Sequence, residues 1–408
     1  MTCEQSPAQN NYPIREAFRI FLPPYMKKHH LSEEQEHAGL CISHCKTGAL
    51  GYTKSVCSEC GYEEIHYTSC NNRHCPCCQR PLEQKWVSQR NSEIIPGIAY
   101  YHVIFTVPYE LNDLIEANPN ELLGLMFDAV SKTLLTLCAD PKWLGAKPGI
   151  VSVLHTWGQK LNYHPHIHTI VSGGGLTKDG QFVEGTHKGF LIPADIVASV
   201  FRGKYLDGLK SLYKKGKLTF PEKLSGLRNR FEWKEYIDSL YAKKWLPFLK
   251  ETFNGNGSVV QYLARYAYRT AISNNRIVSV DNESVTFRYK DYADQNKQKT
   301  LTMDGEEFVG AFLRHILPAG FQRVRFSGYL SNSVKKKNLT LISRLRNHVY
   351  NGDPTKGKSI QDLLLNLFGF DICACPMCKG EMIPISSKTV RKKRGTLKYV
   401  VPPTATAN

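Results

Sequence analysis

A short run of histidines is the feature of this sequence best suited to chemistry. The segment NYHPHIHT, from Asn162 to Thr169, contains His164, His166 and His168. Alternate residues of a β-strand point to one face, so we expect His166 and His168 to project together. Two neighbouring imidazoles can bind one divalent cation and leave coordination positions for a phosphate oxygen. The run therefore predicts a catalytic metal site, although a half-buried strand with solvated histidines is the simpler alternative.

His155 is the predicted third ligand. It ends the strand-like segment before the histidine run, and it reaches the same point if the two strands pair through the connection TWGQKLNY. His164 would share the face of His166, but Pro165 disturbs the strand ladder beside it. A reaction directed at phosphate suits Mg²⁺ or Mn²⁺ as the bound cation.

Two tyrosines four residues apart are the candidate nucleophiles. Tyr262 and Tyr266 lie in the helix-like segment QYLARYAYR, so they share one helix face, with Arg269 near that face and Arg265 beside it. A tyrosine hydroxyl is a weak nucleophile at its usual pKa of about 10. Nearby cations and a polarised phosphate would relieve this and give a covalent phosphotyrosine. Aromatic residues at helical spacing more often belong to a core, so only the combination with the histidine run favours catalysis.

The cysteines predict structural zinc. There are 13, and most lie near the N-terminus, where no secretory signal precedes them. An odd number of clustered cysteines with interspersed histidines favours metal over disulfides, although buried free thiols are the alternative. Eight ligands would hold two zinc ions in closed, non-catalytic sites. These ligands are Cys41, Cys45, Cys57, Cys60, Cys70, His74, Cys75 and Cys78.

The spacing favours an interleaved assignment of these ligands. The C-x₂-C pairs Cys57/Cys60 and Cys75/Cys78 match a four-cysteine zinc ribbon. The remaining four ligands would then hold the second ion, although a sequential assignment is left open. A further C-x₂-C pair at 375–378 resembles half of a ribbon, but no second pair follows it. Among these ligands Arg73 is a candidate DNA contact, or a solvated surface charge.

The surrounding pattern predicts an α+β fold. We expect a helical lead-in over 1–36, a zinc-binding module over 37–90, a catalytic domain over 91–290 and a small basic C-terminal region over 291–408. The predicted strands are Tyr101–Val107, Ile150–His155, His164–Ser172 (closed by Gly173–Gly175), Ile277–Val280 and Val285–Tyr289. The predicted helices are Leu122–Cys138, Val259–Thr270 and Glu306–Leu317.

The composition and charge favour a folded protein with a nucleic-acid partner. The chain has 408 residues and a net charge of +17, which favours a polyanionic partner over scattered surface lysines. A hydrophobic content of 42% excludes a disordered chain. No apolar run approaches the ~20 residues of a membrane span, so no membrane partner is expected.

At this point the sequence resembles a known family. The segments are CKTGALGY, CSECG, SCNNRHCPCCQ, HVIFTVP, HTWGQKLNYHPHIHTIVSGGG, YLARYAYRTAISNNRI, FRYKDY and HILPAGFQRVRFSGYLSN. In this order they resemble IS91-type transposases, which belong to the HUH endonucleases. The triplet that gives this superfamily its name is here His166-Ile167-His168.

The resemblance implies an N-terminal zinc-binding module followed by an HUH-type antiparallel sheet with flanking helices. It also implies rolling-circle transposition through single-stranded DNA, with a 5′-phosphotyrosine intermediate at Tyr262 or Tyr266 and a metal held by His155, His166 and His168. Arg73, Arg265 and Arg269 would contact DNA. The expected location is the bacterial cytoplasm at the nucleoid, and a homo-oligomer is left open. Two alternatives remain: a plasmid replication initiator or relaxase with the same chemistry, and a zinc-dependent DNA-binding regulator without catalysis.

Overall fold

The computed structural model describes residues 12–185, 192–245, 247–254, 267–369 and 371–389. The helices of these residues are α1 (Pro13–Lys28), α2 (Glu33–His44), α3 (Arg80–Asn91), α4 (Asn112–Ala117), α5 (Pro119–Cys138), α6 (Ala194–Lys214), α7 (Arg230–Ala242), α8 (Gly305–Leu313), α9 (Lys335–Leu345) and α10 (Ile360–Phe368). The strands are β1 (Gly51–Cys57), β2 (Glu63–Tyr67), β3 (Ala99–Thr106), β4 (Lys147–Trp157), β5 (Tyr163–Leu176), β6 (Phe182–Glu184), β7 (Phe248–Asn254), β8 (Ile277–Val280), β9 (Ser284–Asp291), β10 (Lys297–Asp304), β11 (Val324–Gly328) and β12 (Met382–Thr389).

The central sheet is antiparallel and has the order β11-β4-β5-β3-β7, with β6 paired to β5. Its central strands alternate cleanly between two faces, because successive side chains of a strand point to opposite sides. On one face Phe105, Leu154 and Ile167 pack in the largest core, together with apolar residues of α5 and α6. On the other face Val153 and Ile170 pack in a second core with residues of α3 and α9. The histidines belong to this second face.

Two smaller sheets flank the central one. Strands β8, β9 and β10 form an antiparallel sheet whose buried residues pack with α1 and α8. Strands β12, β1 and β2 form the other sheet, with β1 in the middle. This sheet pairs the first strand of the described residues, β1, with the last one, β12.

The α+β class predicted from the sequence is confirmed, with an N-terminal cysteine-rich module before an antiparallel sheet flanked by helices. The predicted strands are present, and α5 covers the predicted helix Leu122–Cys138. The predicted helix Val259–Thr270 lies largely outside the described residues. No helix of the described residues is long and apolar enough to cross a bilayer.

Two local expectations were wrong. The glycine triplet does not close β5 but lies within it, because the strand continues to Leu176. A Cβ on Gly175 would approach the Lys147 carbonyl oxygen at 2.7 Å, so the neighbouring strand leaves no room for a side chain there. The helix α8 ends at Leu313, before the predicted Leu317.

The C-terminal region is built into the rest of the molecule. Strand β11 pairs with β4 at the edge of the central sheet, and β12 pairs with β1 along its length. The basic character of this region gave no indication of either pairing.

Candidate functional site

Three histidines meet on adjacent strands, as the sequence predicts. His155 of β4 is the direct cross-strand partner of His166 on β5, and Val153 is the partner of His168. This register places His155, His166 and His168 on one face of the sheet. One nitrogen from each imidazole lies within 4.8 Å of the others, which is the spacing of ligands that share one metal ion.

Hydrogen bonds orient the rings of this histidine cluster. The Nδ1–H group of His166 donates to the backbone oxygen of His164 at 2.7 Å, which leaves Nε2 as the nitrogen with a free lone pair. Nδ1 of His168 lies 3.0 Å from Nε2 of His102. If His168 donates this bond, Nε2 is the nitrogen of its ring that carries the lone pair. Such outer-shell bonds fix the tautomer and the ring orientation of metal-ligating histidines.

Burial favours the neutral form of His166 and His168. It lowers the pKa of His166 to about 4, and it lowers the pKa of His168 well below the usual value. Neutral imidazole is the form that binds metal, so the donor set fits a divalent cation. Imidazole ligands suit first-row transition ions better than Mg²⁺.

Sequence reasoning missed His102. This residue is 1% exposed and lies on β3, on the same sheet face as the cluster. Its ring is nearly parallel to that of His168, with the ring planes 8° apart and the centroids 5.2 Å apart. The available signal was the histidine at the centre of the predicted strand Tyr101–Val107, an unusual place for a buried polar residue unless it has a partner.

Arg269, a predicted cation of the tyrosine segment, places its positive charge near the histidine cluster. Its positive charge acts on His166 and His168, where it contributes to their lowered pKa values after burial. It also lines a cavity of about 1110 Å³ between the cysteine-rich module and the residues after the tyrosine segment. Lys46 and Arg80 line the same cavity, so three cations face one space. Tyr262, Tyr266 and Arg265 lie outside the described residues.

Arg73 faces the protein rather than solvent. Its guanidinium donates to the backbone oxygens of Leu317, Pro318 and Phe321, and burial lowers its pKa. The prediction that Arg73 contacts DNA was wrong, because these carbonyl groups already occupy its donors. It tethers the cysteine-rich module to the segment after α8.

The cysteines form two groups of four, but not the predicted ones. Cys45, Cys70, Cys75 and Cys78 are all buried, and their sulfurs lie within 4.8 Å of one another. The interleaved assignment was wrong because Cys75 and Cys78 join Cys45 and Cys70 instead of Cys57 and Cys60. Four thiolates at this spacing fit a closed tetrahedral zinc site.

Cys41 and His74 stand outside this group. The sulfur of Cys41 lies 3.6 Å from His37 Nε2 and also interacts with the thiol of Cys70. His74 Nε2 accepts hydrogen bonds from Arg73 and from the Leu317 amide, so its lone pair is engaged by protein donors. The geometry therefore does not support His74 as a zinc ligand, whereas the role of Cys41 stays a prediction.

The second group is completed from the far end of the described chain. Cys57 and Cys60 meet Cys375 and Cys378. The pair at 375–378 thus has a partner pair, which precedes it in sequence by most of the chain.

Two family models match the cysteine-rich module and the part of the chain that contains the clustered histidines. Residues 17–107 match the family described as "Transposase zinc-binding domain", and residues 149–338 match the family described as "Putative transposase". The first match contains the first cysteine group, and the second contains all three clustered histidines. Together they describe a transposase with an N-terminal zinc-binding domain.

Full-length relatives identify the family. The chain is 36% identical over 382 residues to "Putative transposase y4qJ" of Sinorhizobium fredii, covering 93% of this chain and 96% of that protein. It is 27% identical over 357 residues to "Transposase for insertion sequence element IS801" of Pseudomonas savastanoi pv. phaseolicola, covering 85% and 83%. The chain belongs to the IS91 family of transposases.

Among solved structures, the conjugative relaxase TrwC in complex with oriT DNA, in its metal-bound form, is a distant likeness. It is 14% identical, covers 45% of this chain and 67% of that chain, and has a TM-score of 0.24. A complex of TrwC with a 27-mer DNA gives the same TM-score of 0.24.

Proposed function

We propose that this transposase cleaves and rejoins single-stranded DNA at the ends of its element through a 5′-phosphotyrosine intermediate, by rolling-circle transposition. The observation that carries the proposal is the meeting of His155, His166 and His168, with one nitrogen from each within 4.8 Å of the others. Membership in the IS91 family supports the choice of DNA ends as substrate.

The histidine cluster would bind the metal and position the scissile phosphate. His166 and His168 would each contribute a neutral Nε2, with Nδ1 held by the His164 carbonyl and by His102. A bound divalent cation would supply charge stabilisation to the phosphate oxygens. The low exposure of His155 and His168, 2% and 6%, limits competing water around the ligands.

The nucleophile would be the hydroxyl of Tyr262 or Tyr266. In the proposed step the tyrosine oxygen bonds to phosphorus and loses its proton. The bond from phosphorus to the 3′ oxygen breaks, and that oxygen gains a proton. The phosphotyrosine keeps the energy of the broken bond, so the strand can be rejoined without a nucleotide cofactor. The second tyrosine would allow a second cleavage while the first strand is still held.

The chain next to these tyrosines supports their assignment. Ala267, which is bonded to Tyr266, is 2% exposed and packs in the core on the histidine face of the sheet, with Val153 and Ile170. Arg269 is exposed at the cavity that Lys46 and Arg80 also line. These cations, with Arg265, would bind phosphates of the single strand, and Tyr268 beside them could stack on a base. Because the proposed substrate is DNA, we expect the activity at the bacterial nucleoid.

The test is cleavage of labelled single-stranded DNA that carries either end of the element, with Mn²⁺. We expect a covalent adduct from the wild type, none from the double variant Tyr262→Phe/Tyr266→Phe, and a large loss in His166→Ala. His164→Ala is the matched control, because it removes a neighbouring ring but keeps the backbone oxygen that His166 uses.

Two results would contradict the proposal. An undiminished adduct in the double tyrosine variant would exclude the nucleophiles. Specific binding without any adduct would instead favour the zinc-dependent regulator. A replication initiator would cleave plasmid origin DNA in preference to the ends of an element.

A further inference from the structure

We infer that Cys57, Cys60, Cys375 and Cys378 bind a second structural zinc ion, which fastens the C-terminal segment to the N-terminal zinc-binding domain. We call this site the zinc clip. The family match for the zinc-binding domain covers residues 17–107, so it contains only half of the clip. The other half lies beyond both family matches.

The sulfur positions fit zinc and exclude disulfides. Sγ of Cys57 lies 3.4 Å from Sγ of Cys378, and Sγ of Cys60 lies 3.6 Å from Sγ of Cys375. A disulfide requires about 2.05 Å. Tetrahedral zinc with Zn–S bonds of about 2.3 Å separates its sulfurs by about 3.8 Å. The first cysteine group shows a similar separation, 3.7 Å between Cys70 and Cys78.

Backbone amides point at the sulfurs in the way that thiolates require. The amide of Glu59 donates to Cys57, that of Met377 donates to Cys375, and that of Gly380 donates to Cys378, each at 3.4 Å. Hydrogen bonds of this kind stabilise the charged form of a ligand. Equivalent bonds reach Cys70 and Cys75 in the first group.

The backbones of the two C-x₂-C turns contact each other directly. The Ser58 amide donates to the Glu381 oxygen at 3.0 Å. A Cβ on Gly380 would lie 3.1 Å from the Cys57 sulfur and 2.5 Å from the Glu59 side chain. Glycine is therefore needed at 380 for the turns to approach closely enough to share a metal.

Apolar packing at this junction is small. The buried cluster consists of Cys57, Cys375 and Met382, with Tyr62 packed against it. Ile383 and Ile385 of β12 are exposed. A junction with so little core normally requires a metal or another covalent staple, and four convergent thiols provide one.

The clip would act on the shape of the cavity that Arg269 lines. Leu364 of α10 also lines that cavity, and α10 precedes Cys375 closely in sequence. Fastening the C-terminal segment to β1 would hold α10 beside α3. The site is structural, and it does not depend on the chemistry of the histidine cluster.

The first test uses the wild-type chain and its thiol reactivity. Cys60 and Cys378 are exposed, so without a metal they would react rapidly with N-ethylmaleimide. We expect mass spectrometry to find both protected in the purified protein and modified after a strong zinc chelator is added. Cys373 is the internal control, because it lies outside the group of four and should react before chelation. Modification of Cys60 and Cys378 at the rate of Cys373 before chelation would overturn the inference.

The second test counts metal by elemental analysis. We expect two zinc ions per chain in the wild type and in the control Cys373→Ser, and one in Cys375→Ser/Cys378→Ser. Cys57→Ser/Cys60→Ser should lose the same single ion. Retention of both ions by either double variant would overturn the clip, as would one ion in the wild type. Iron in place of zinc would overturn the choice of metal.

Discussion

His102 offers a sharp test of how the histidine cluster is organised. Its Nε2 lies 3.0 Å from His168 Nδ1, and it is 1% exposed. We expect His102→Phe to keep the ring volume but remove the acceptor. The His168 ring would then lose the partner that favours the tautomer with the lone pair on Nε2, the nitrogen proposed to bind metal.

The size of the effect follows from outer-shell chemistry. Loss of a partner of this kind typically lowers metal affinity by about 10–100-fold, or about 1.4–2.7 kcal/mol. The unpaired buried N–H would also reduce the free energy of unfolding by about 1–3 kcal/mol. Both effects should appear without any change in the three proposed ligands.

The assay is calorimetric titration of the zinc-loaded full chain with Mn²⁺, combined with urea unfolding. His164→Ala is the control, since the His166 ring bonds to the backbone oxygen of residue 164 and not to its side chain. We expect the control to bind Mn²⁺ like the wild type. A folded His102→Phe variant with an unchanged dissociation constant would refute the proposed role of His102.

Three further predictions concern stability and DNA binding. Ile167 lies between the two ligands on β5, but its side chain is buried in the core on the opposite face of the sheet. Ile167→Ala should reduce the free energy of unfolding by about 2–5 kcal/mol, whereas Ile167→Val should reduce it by about 0.5–1.5 kcal/mol. Equal losses for the two variants in urea unfolding would contradict this packing. Arg73→Ala should destabilise the fold without changing the DNA affinity of the folded protein, whereas Arg269→Ala should weaken single-strand binding and reduce the salt slope by about 0.7; the reverse result in fluorescence titrations would contradict both assignments. Burial lowers the pKa of His315 to about 4 from about 6.5 in the unfolded chain. The unfolded state therefore binds the proton first as the pH falls, and this residue should cost about 2 kcal/mol of stability between pH 7 and 5. Chemical unfolding of His315→Gln should show a shallower loss over that range, and an identical pH dependence would refute the assignment.

Strands β3, β4 and β5 of the central sheet could be predicted from the sequence because local patterns specify them. The β-branched run before Pro108 and the alternation through His166 and His168 place the strands without long-range information. His155 could be added because strands joined by a short connection usually pair. The prediction that Gly173–Gly175 closes the strand was wrong, because glycine occurs both at turns and where two strands approach closely.

The zinc assignments failed for a different reason. Cys57/Cys60 and Cys75/Cys78 are close in sequence and have ribbon-like spacing, so they seemed to be partners. The actual partner of Cys60 is Cys375, which lies 315 residues away. Spacing identifies pairs that chelate locally, but it does not reveal which pairs meet in the fold. Arg73 failed similarly, because its acceptors are backbone oxygens that no sequence pattern displays.

The most direct measurement of the central claim is the site of covalent attachment to DNA. The wild-type chain would be reacted with single-stranded element-end DNA and Mn²⁺, digested with nuclease and trypsin, and analysed by mass spectrometry. The proposed mechanism predicts a nucleotide remnant on Tyr262 or Tyr266 through a 5′-phosphate. A remnant on another residue, such as Tyr268, or cleavage that leaves no covalent remnant, would contradict it.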